Sequence, residues 1–132
     1  MKNVRFLTVS EVLKLHKLQI QDFGGADGIR SGELLESAVM QPQSGFGGFM
    51  LHKNIIEMAA AYLFHICQNH PFVDGNKRTA LDACYFFLFF NGYELSGNED
   101  EIADFVLDVA AGKAKKSDVA RFLKRNTTKL NN

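Results

Sequence analysis

The sequence predicts an all-α fold: about six helices around a central helix pair, with a short flap loop or hairpin ahead of that pair. Three observations predict it. Apolar residues recur at helical spacing through most of the 132 residues, and no stretch alternates convincingly in the manner of a strand. Two strongly apolar segments, Asn54 to Asn69 and Arg78 to Asn91, flank one short polar break. A chain of this length is expected to bury a core as a single domain over 1–132, and no linker or repeat divides it.

The elements follow in order. Thr8 and Glu11 fit a capping box, with Leu7 and Val12 placed as a hydrophobic staple across it. The first helix then runs from Val9 to Asp22 with an apolar stripe of Val12, Leu13, Leu15, Leu18 and Ile20, and Gly24-Gly25 ends it. Ser31 suits the N-cap of a short helix carrying Leu34, Leu35, Ala38 and Val39. Pro42 and three glycines make Gln41 to Lys53 the least helical stretch, an exposed loop or hairpin tipped by Phe46 and Phe49. The segment Asn54 to Asn69 is apolar nearly all round and must be buried on most sides. Its companion, Arg78 to Asn91, is closed by Gly92. A fifth helix, Glu99 to Ala111, has an acidic first turn that suits the helix dipole. A last helix runs from Ser117 to about Arg125, and 126–132 reads as a frayed tail.

Composition narrows the class. With 46% hydrophobic and 23% charged residues the chain reads as a soluble globular protein, its twelve Phe serving mostly as core. The opening residues mix charges among apolar positions, unlike a signal peptide, and the longest apolar run is far below the roughly 20 residues of a membrane span. Cys67 and Cys84 fall in apolar helical segments without a CxxC pair, which favours a reduced, buried pair over a disulfide or zinc site. A cytoplasmic location is expected. Net charge is zero but uneven: −6 up to Gly112 and +6 from Lys113 onward. The basic end is either a solvated helix face or a contact for an acidic partner. Zero overall charge argues against direct nucleic-acid binding as the main task.

The polar break, "HPFVDGNKRTA" from His70 to Ala80, holds the chemistry. Gly75, Asn76 and Lys77 sit just before a helix start, where free N–H groups and the dipole favour an anion. Gly75 lets the backbone approach a ligand, and Lys77 and Arg78 add two cations suited to phosphate. Asp74 beside such a nest implies a bridging cation, for which Mg²⁺ is the usual choice. His70 is placed as general base for a hydroxyl nucleophile. Each residue also has a plainer reading: His70 as a helix C-cap, Asp74-Gly75 as a turn, Lys77-Arg78 as a solvated pair. Their conjunction within nine residues favours phosphoryl or nucleotidyl transfer. No glycine stands at the spacing of a P-loop. His65 and His70 are misplaced for a two-histidine metal site, and His16 and His52 read as surface residues.

The motif resembles the signature of Fic/Doc proteins, and Lys77 in place of a second glycine resembles the death-on-curing (Doc) branch. "FLTVSEVLKLH", "GIRSGELLESAVMQPQSGFGG" and "LFFNGYEL" are similar to that branch as well, so the likeness covers nearly the whole chain. It implies the Fic fold and a toxin paired with an antitoxin, using ATP and Mg²⁺. His70 would then deprotonate a Ser or Thr hydroxyl, Phe72 would anchor the loop in the core, and Asp74 would hold the metal. Gly75, Asn76 and the loop amides would bind phosphate oxygens, and Arg78 would pair with the transferring phosphates. The segment Ser44, Gly45, Phe46, Gly47, Gly48 and Phe49 would be a flap pinning the target's backbone by strand-like pairing. Lys77 would fill the space that adenylylating members leave for outer phosphates and turn ATP round, so that phosphorylation replaces AMP transfer. The implied target is a translation factor such as elongation factor Tu. The inhibitory pattern Ser/Thr-xxx-Glu-Gly/Asn is absent (Ser96 is followed by Asp100 and Glu101), so a separate antitoxin, as a helix or unfolded segment in a groove near the loop, would restrain the protein. An AMP transferase and a non-catalytic binding module are the alternatives.

Overall fold

Residues 58–63 are apolar at every position, and a helix without a polar face has to be enclosed. The computed structural model, which describes residues 3–131, shows how. The helix α3 (Ile55–Asn69) lies at the centre and packs against α2 (Gly32–Met40), α4 (Asn76–Phe90), α5 (Glu99–Ala110) and α6 (Lys116–Asn126); α1 (Val9–Phe23) closes over α4. Met58, Ala59, Ala60, Ala61, Tyr62, Leu63 and Ile66 are all buried, as are Phe87, Leu88, Ala83 and Cys84 of α4, and the Tyr62 ring packs on Phe87. The Leu7 amide donates to the Tyr62 hydroxyl at 2.8 Å, so the polar tip of this core tyrosine is satisfied. Six helices among the described residues give the expected all-α class.

Local signals place most boundaries. The Thr8–Glu11 capping box closes in both directions, and Arg5 reaches the Glu11 carboxylate at 2.6 Å. Ser31, Asn54 and Asn98 each cap a following helix by accepting from the third residue on. The 41–53 segment begins with a buried 3-10 turn, Gln41–Gln43, and continues as a hairpin of β1 (Gly45–Phe46) and β2 (Phe49–Met50). Phe46 and Phe49 are 90% and 76% exposed at its tip. Cys67 and Cys84 are free and buried. No helix among the described residues is long and apolar enough to cross a membrane.

Several expectations fail, each for a tertiary reason. The tail is not frayed: β4 (Thr127–Lys129) pairs antiparallel with β3 (Tyr93–Leu95), and Leu130 donates to Gly92 O beyond the ladder. Residue 132 lies outside the described part. Strands of three residues are too short to alternate visibly in the sequence. Leu18 is exposed, as are Phe89 and Phe90, so apolar character alone did not assign the core. His16, expected at the surface, is buried beside Val12 on α1 and only 3% exposed.

His52 is buried as well, and it belongs to a polar node between helices. The Lys116 ammonium lies 2.9 Å from His52 Nε2 and 3.1 Å from His65 Nε2. An ammonium only donates, so both imidazoles accept through an unprotonated Nε2. One residue of the basic end therefore turns inward and does not join a solvated face. Burial first, and Lys116 second, pushes His65 down to about 4 and lowers His52 from its ordinary value. The fold thus favours the neutral form of both, whereas the unfolded chain protonates them below about pH 6.5. Their contribution is complete above that pH and is lost as pH falls through their lowered values, that of His65 at about 4. Urea unfolding should thus show stability falling between about pH 6.5 and pH 4, and His65→Asn should flatten that part of the profile.

Candidate functional site

The loop between α3 and α4 is built by tying down its backbone. His70 is the C-cap of α3 in the left-handed conformation, φ 48° and ψ 55°, which costs a residue with a Cβ on the order of 1 kcal/mol. Arg30 holds it there: its Nε donates to His70 O at 2.6 Å and its Nη2 to Asn69 O at 2.8 Å. A guanidinium thus satisfies the carbonyls that end α3, and its charge suits that end of the helix dipole. The amides of Arg30 and Ser31 both donate to Pro71 O, and Val73 N donates to Gly28 O. Segment 28–31 is in effect stitched alongside 70–73, with an isolated bridge between Ile29 and Phe72.

Phe72 is fully buried and serves as the loop's anchor. The ring of His16 lies flat on it, centroids 3.8 Å apart and planes within 5°. His16 Nε2 donates to the Asp74 carbonyl at 2.8 Å; because a carbonyl only accepts, that nitrogen carries the proton. Gly75, at φ 79°, passes so close to His16 and Ile20 that a Cβ there would touch both at 3.4–3.6 Å. The expected helix start moves back two residues: Gly75 is the N-cap of α4, and Asn76 and Lys77 are its first residues.

Asn76 is put to a different use from the one its motif position implies. Its side chain is 5% exposed, accepting from Phe72 N and donating to Phe72 O, both at 2.9 Å. The amide group closes the loop on itself and only its backbone N–H remains with the helix terminus.

What stays open is a set of side chains. His70, Asp74, Lys77 and Arg78 are exposed, and no hydrogen bond engages the His70 ring among the described residues. Since Arg30 takes the terminal carbonyls of α3, His70 is not spent as a C-cap side chain. No side chain caps α4, so the N–H groups of its first turn are free for an anion beside Lys77 and Arg78. The Arg78 guanidinium rests 4.2 Å above the Phe23 ring, which fixes it while leaving its donors outward. Asp74 Oδ2 accepts from Ala26 N at 2.7 Å, leaving the other oxygen for a cation. Gly25 is required there, since a Cβ would sit 3.2 Å from Asp74 Cβ. A carboxylate with one free oxygen beside an uncapped helix terminus and two cations suits a magnesium polyphosphate. Residues 44–49, expected as a flap, lie on the hairpin of β1 and β2 ahead of α3.

Sequence reasoning missed His16, Arg30 and Phe23. His16 was within reach, because it stands four residues after the buried Val12 on the same helix face. Arg30 and Phe23 carry no local signal, as both act on residues at least thirty-nine positions away.

Two stability measurements check this construction. Phe72→Ala should cost about 3–5 kcal/mol, read by urea unfolding; a variant that melts like wild type would show that Phe72 anchors nothing. His16→Phe keeps the stacking ring but removes the donor to Asp74 O, and should cost about 1–3 kcal/mol.

Comparison with known proteins identifies the family. The model of the Fic/DOC family matches residues 6–88. The chain is 30% identical over 122 residues to the protein kinase doc of Escherichia phage P1, covering 92% of this chain and 95% of that one. It is 41% identical over 78 residues to the toxin Doc of Mycolicibacterium smegmatis, 59% of this chain and 60%, under two thirds, of that protein's length. With its loop stitched to the 28–31 segment and the family match running from Phe6 through most of α4, the chain belongs to the Fic/DOC family.

Proposed function

We propose that this protein is the toxin of a toxin–antitoxin pair and transfers the γ-phosphate of Mg-ATP to a Ser or Thr hydroxyl of a translation factor, elongation factor Tu being the first to try. The observation that carries the reading is the division of labour in the loop: its backbone is bonded inward while His70, Asp74, Lys77, Arg78 and the α4 amides are left outward. The names of two relatives, a toxin and a protein kinase, support it.

Each group has a task its surroundings permit. The free His70 imidazole takes the proton of the acceptor hydroxyl. Asp74 offers its unengaged oxygen to Mg²⁺, and the bond to Ala26 N fixes the carboxylate's direction. The first-turn amides of α4 and the Arg78 guanidinium hold phosphate oxygens. Lys77, exposed in the same turn, occupies with a charged side chain the room a glycine would leave, which favours binding ATP with its terminal phosphate toward His70. Mg-ATP would supply the transferable phosphoryl group. The hairpin 44–51, with Phe46 and Phe49 outermost, is the surface for the substrate's backbone. A separate antitoxin chain would hold this activity in check.

Labelled ATP tests the reading. Elongation factor Tu should take up ³²P from the γ position and none from the α position; α label would make the protein an AMP transferase. His70→Ala should abolish transfer while the protein melts as wild type does. Asp74→Ala should lose most activity and recover part of it in excess Mg²⁺. Absence of any Mg²⁺-dependent ATP binding would leave a non-catalytic module.

A further inference from the structure

The hairpin 44–51 poses a mechanical problem. Two strands of two residues with exposed aromatic tips hold no orientation of their own. Its stance has to come from the root. There, Ser44 N donates to Gln41 O and Leu51 N to Ser44 O, and Lys53 N donates to Glu57 Oε1. From Gln43 to Asn54 a single residue is buried, and it is His52. His52 is the plug by which the hairpin enters the body of the protein, and the side chain that bonds it there is Lys116.

Lys116 stands at this spot against local preference. It is the first residue of α6, where the helix dipole disfavours a cation, and it is partly buried without a carboxylate bonded to it. Glu57, the acid that shares the cavity with it, is engaged by Lys53 N and Asn54 Nδ2. Two imidazole lone pairs are what the ammonium receives in return. A cation placed so unfavourably, bridging a loop root to two helices, marks a constraint beyond packing.

We propose that Lys116 is a positioning residue: by holding His52 to His65 of α3 it sets the stance of the hairpin, and with it the docking of the protein substrate. This rests on the reading of the hairpin as the substrate surface. The adjoining cavity of about 370 Å³, lined by Leu51, His52, Glu57, Ala60 and Ala120, gives His52 room to swing once the ammonium is gone. Removing the ammonium should therefore loosen the root and leave the α3–α4 loop as it is.

The experiment compares the wild-type protein with Lys116→Met and Lys116→Cys. In Lys116→Met the amides of Ser44 and Leu51 should exchange with solvent at least 10-fold faster by NMR, with α3 and α4 protection unchanged. KM for elongation factor Tu should rise at least 5-fold with kcat within 2-fold. Lys116→Cys should behave likewise, and alkylation with 2-bromoethylamine, which restores an ammonium at nearly the same reach, should return both readouts to wild type. The native Cys67 and Cys84 are shielded from the reagent, since both are buried and burial pushes their thiols up. Unchanged exchange at Leu51 in Lys116→Met, or faster exchange that alkylation does not reverse, overturns the proposal. If the wild-type protein transfers no phosphate to elongation factor Tu, the proposed activity falls, and the exchange data still decide the role of Lys116.

Discussion

Arg30 is the contact on which the candidate site depends. Two antiparallel helices joined by six residues leave the carbonyls ending one and the amides beginning the other close together. A chain can satisfy both sets from within the connecting loop, and the loop is then chemically spent. Here the carbonyl end is satisfied from outside, by a guanidinium from the 28–31 segment, and the amide end is left unsatisfied. The asymmetry is what makes the helix junction a candidate site: donors accumulate on one side, and no side chain caps them.

The loop between these ends is rigid for the same reason. Phe72 N and O bond to Asn76, Pro71 O to two amides, Val73 N to Gly28, and the Asp74 carbonyl to His16. An unpaired buried backbone group costs on the order of 1–3 kcal/mol, so each of these bonds penalises any rearrangement of the loop. The left-handed backbone of His70 is held by this surplus of bonds. Substrate and metal would then meet side chains already directed, with little further ordering to be done.

The sequence showed the helices, two of their caps and the motif because those rest on neighbours: Thr8 with Glu11, Ser31 with Leu34. It also singled out His70, Asp74, Lys77 and Arg78, since four such side chains within nine residues stand out from their apolar surroundings, and all four are exposed in the structure. It did not show who supports them. Arg30 reaches forty residues along the chain, Phe23 reaches fifty-five to Arg78, and His16 reaches fifty-eight to Asp74. No periodicity records such pairs. Asn76 was misjudged for a related reason: an amide in a phosphate motif invites a ligand role, and only coordinates reveal that both its polar atoms are taken by Phe72. The tail strand escaped notice because its partner, β3, is separated from it by two helices.

Asp74 shows how this architecture balances opposed charges. An exposed carboxylate beside Lys77, Arg78 and a positive helix terminus would be expected to pair with a cation of its own protein. No ion pair to Asp74 is found among the described residues; its one bonded oxygen faces the neutral amide of Ala26. Arg78 is drawn instead onto the Phe23 ring, a partner that holds the guanidinium without neutralising it. Keeping the two charges apart leaves both unneutralised, which the proposed roles, one oxygen for a hard cation and a fork for phosphate, would require. With a single protein oxygen free, the site alone would hold Mg²⁺ weakly, because that ion keeps its waters unless several hard ligands replace them. On the proposed reading, phosphate oxygens of the nucleotide would complete the set, and metal and nucleotide would bind as one unit, each creating the other's site.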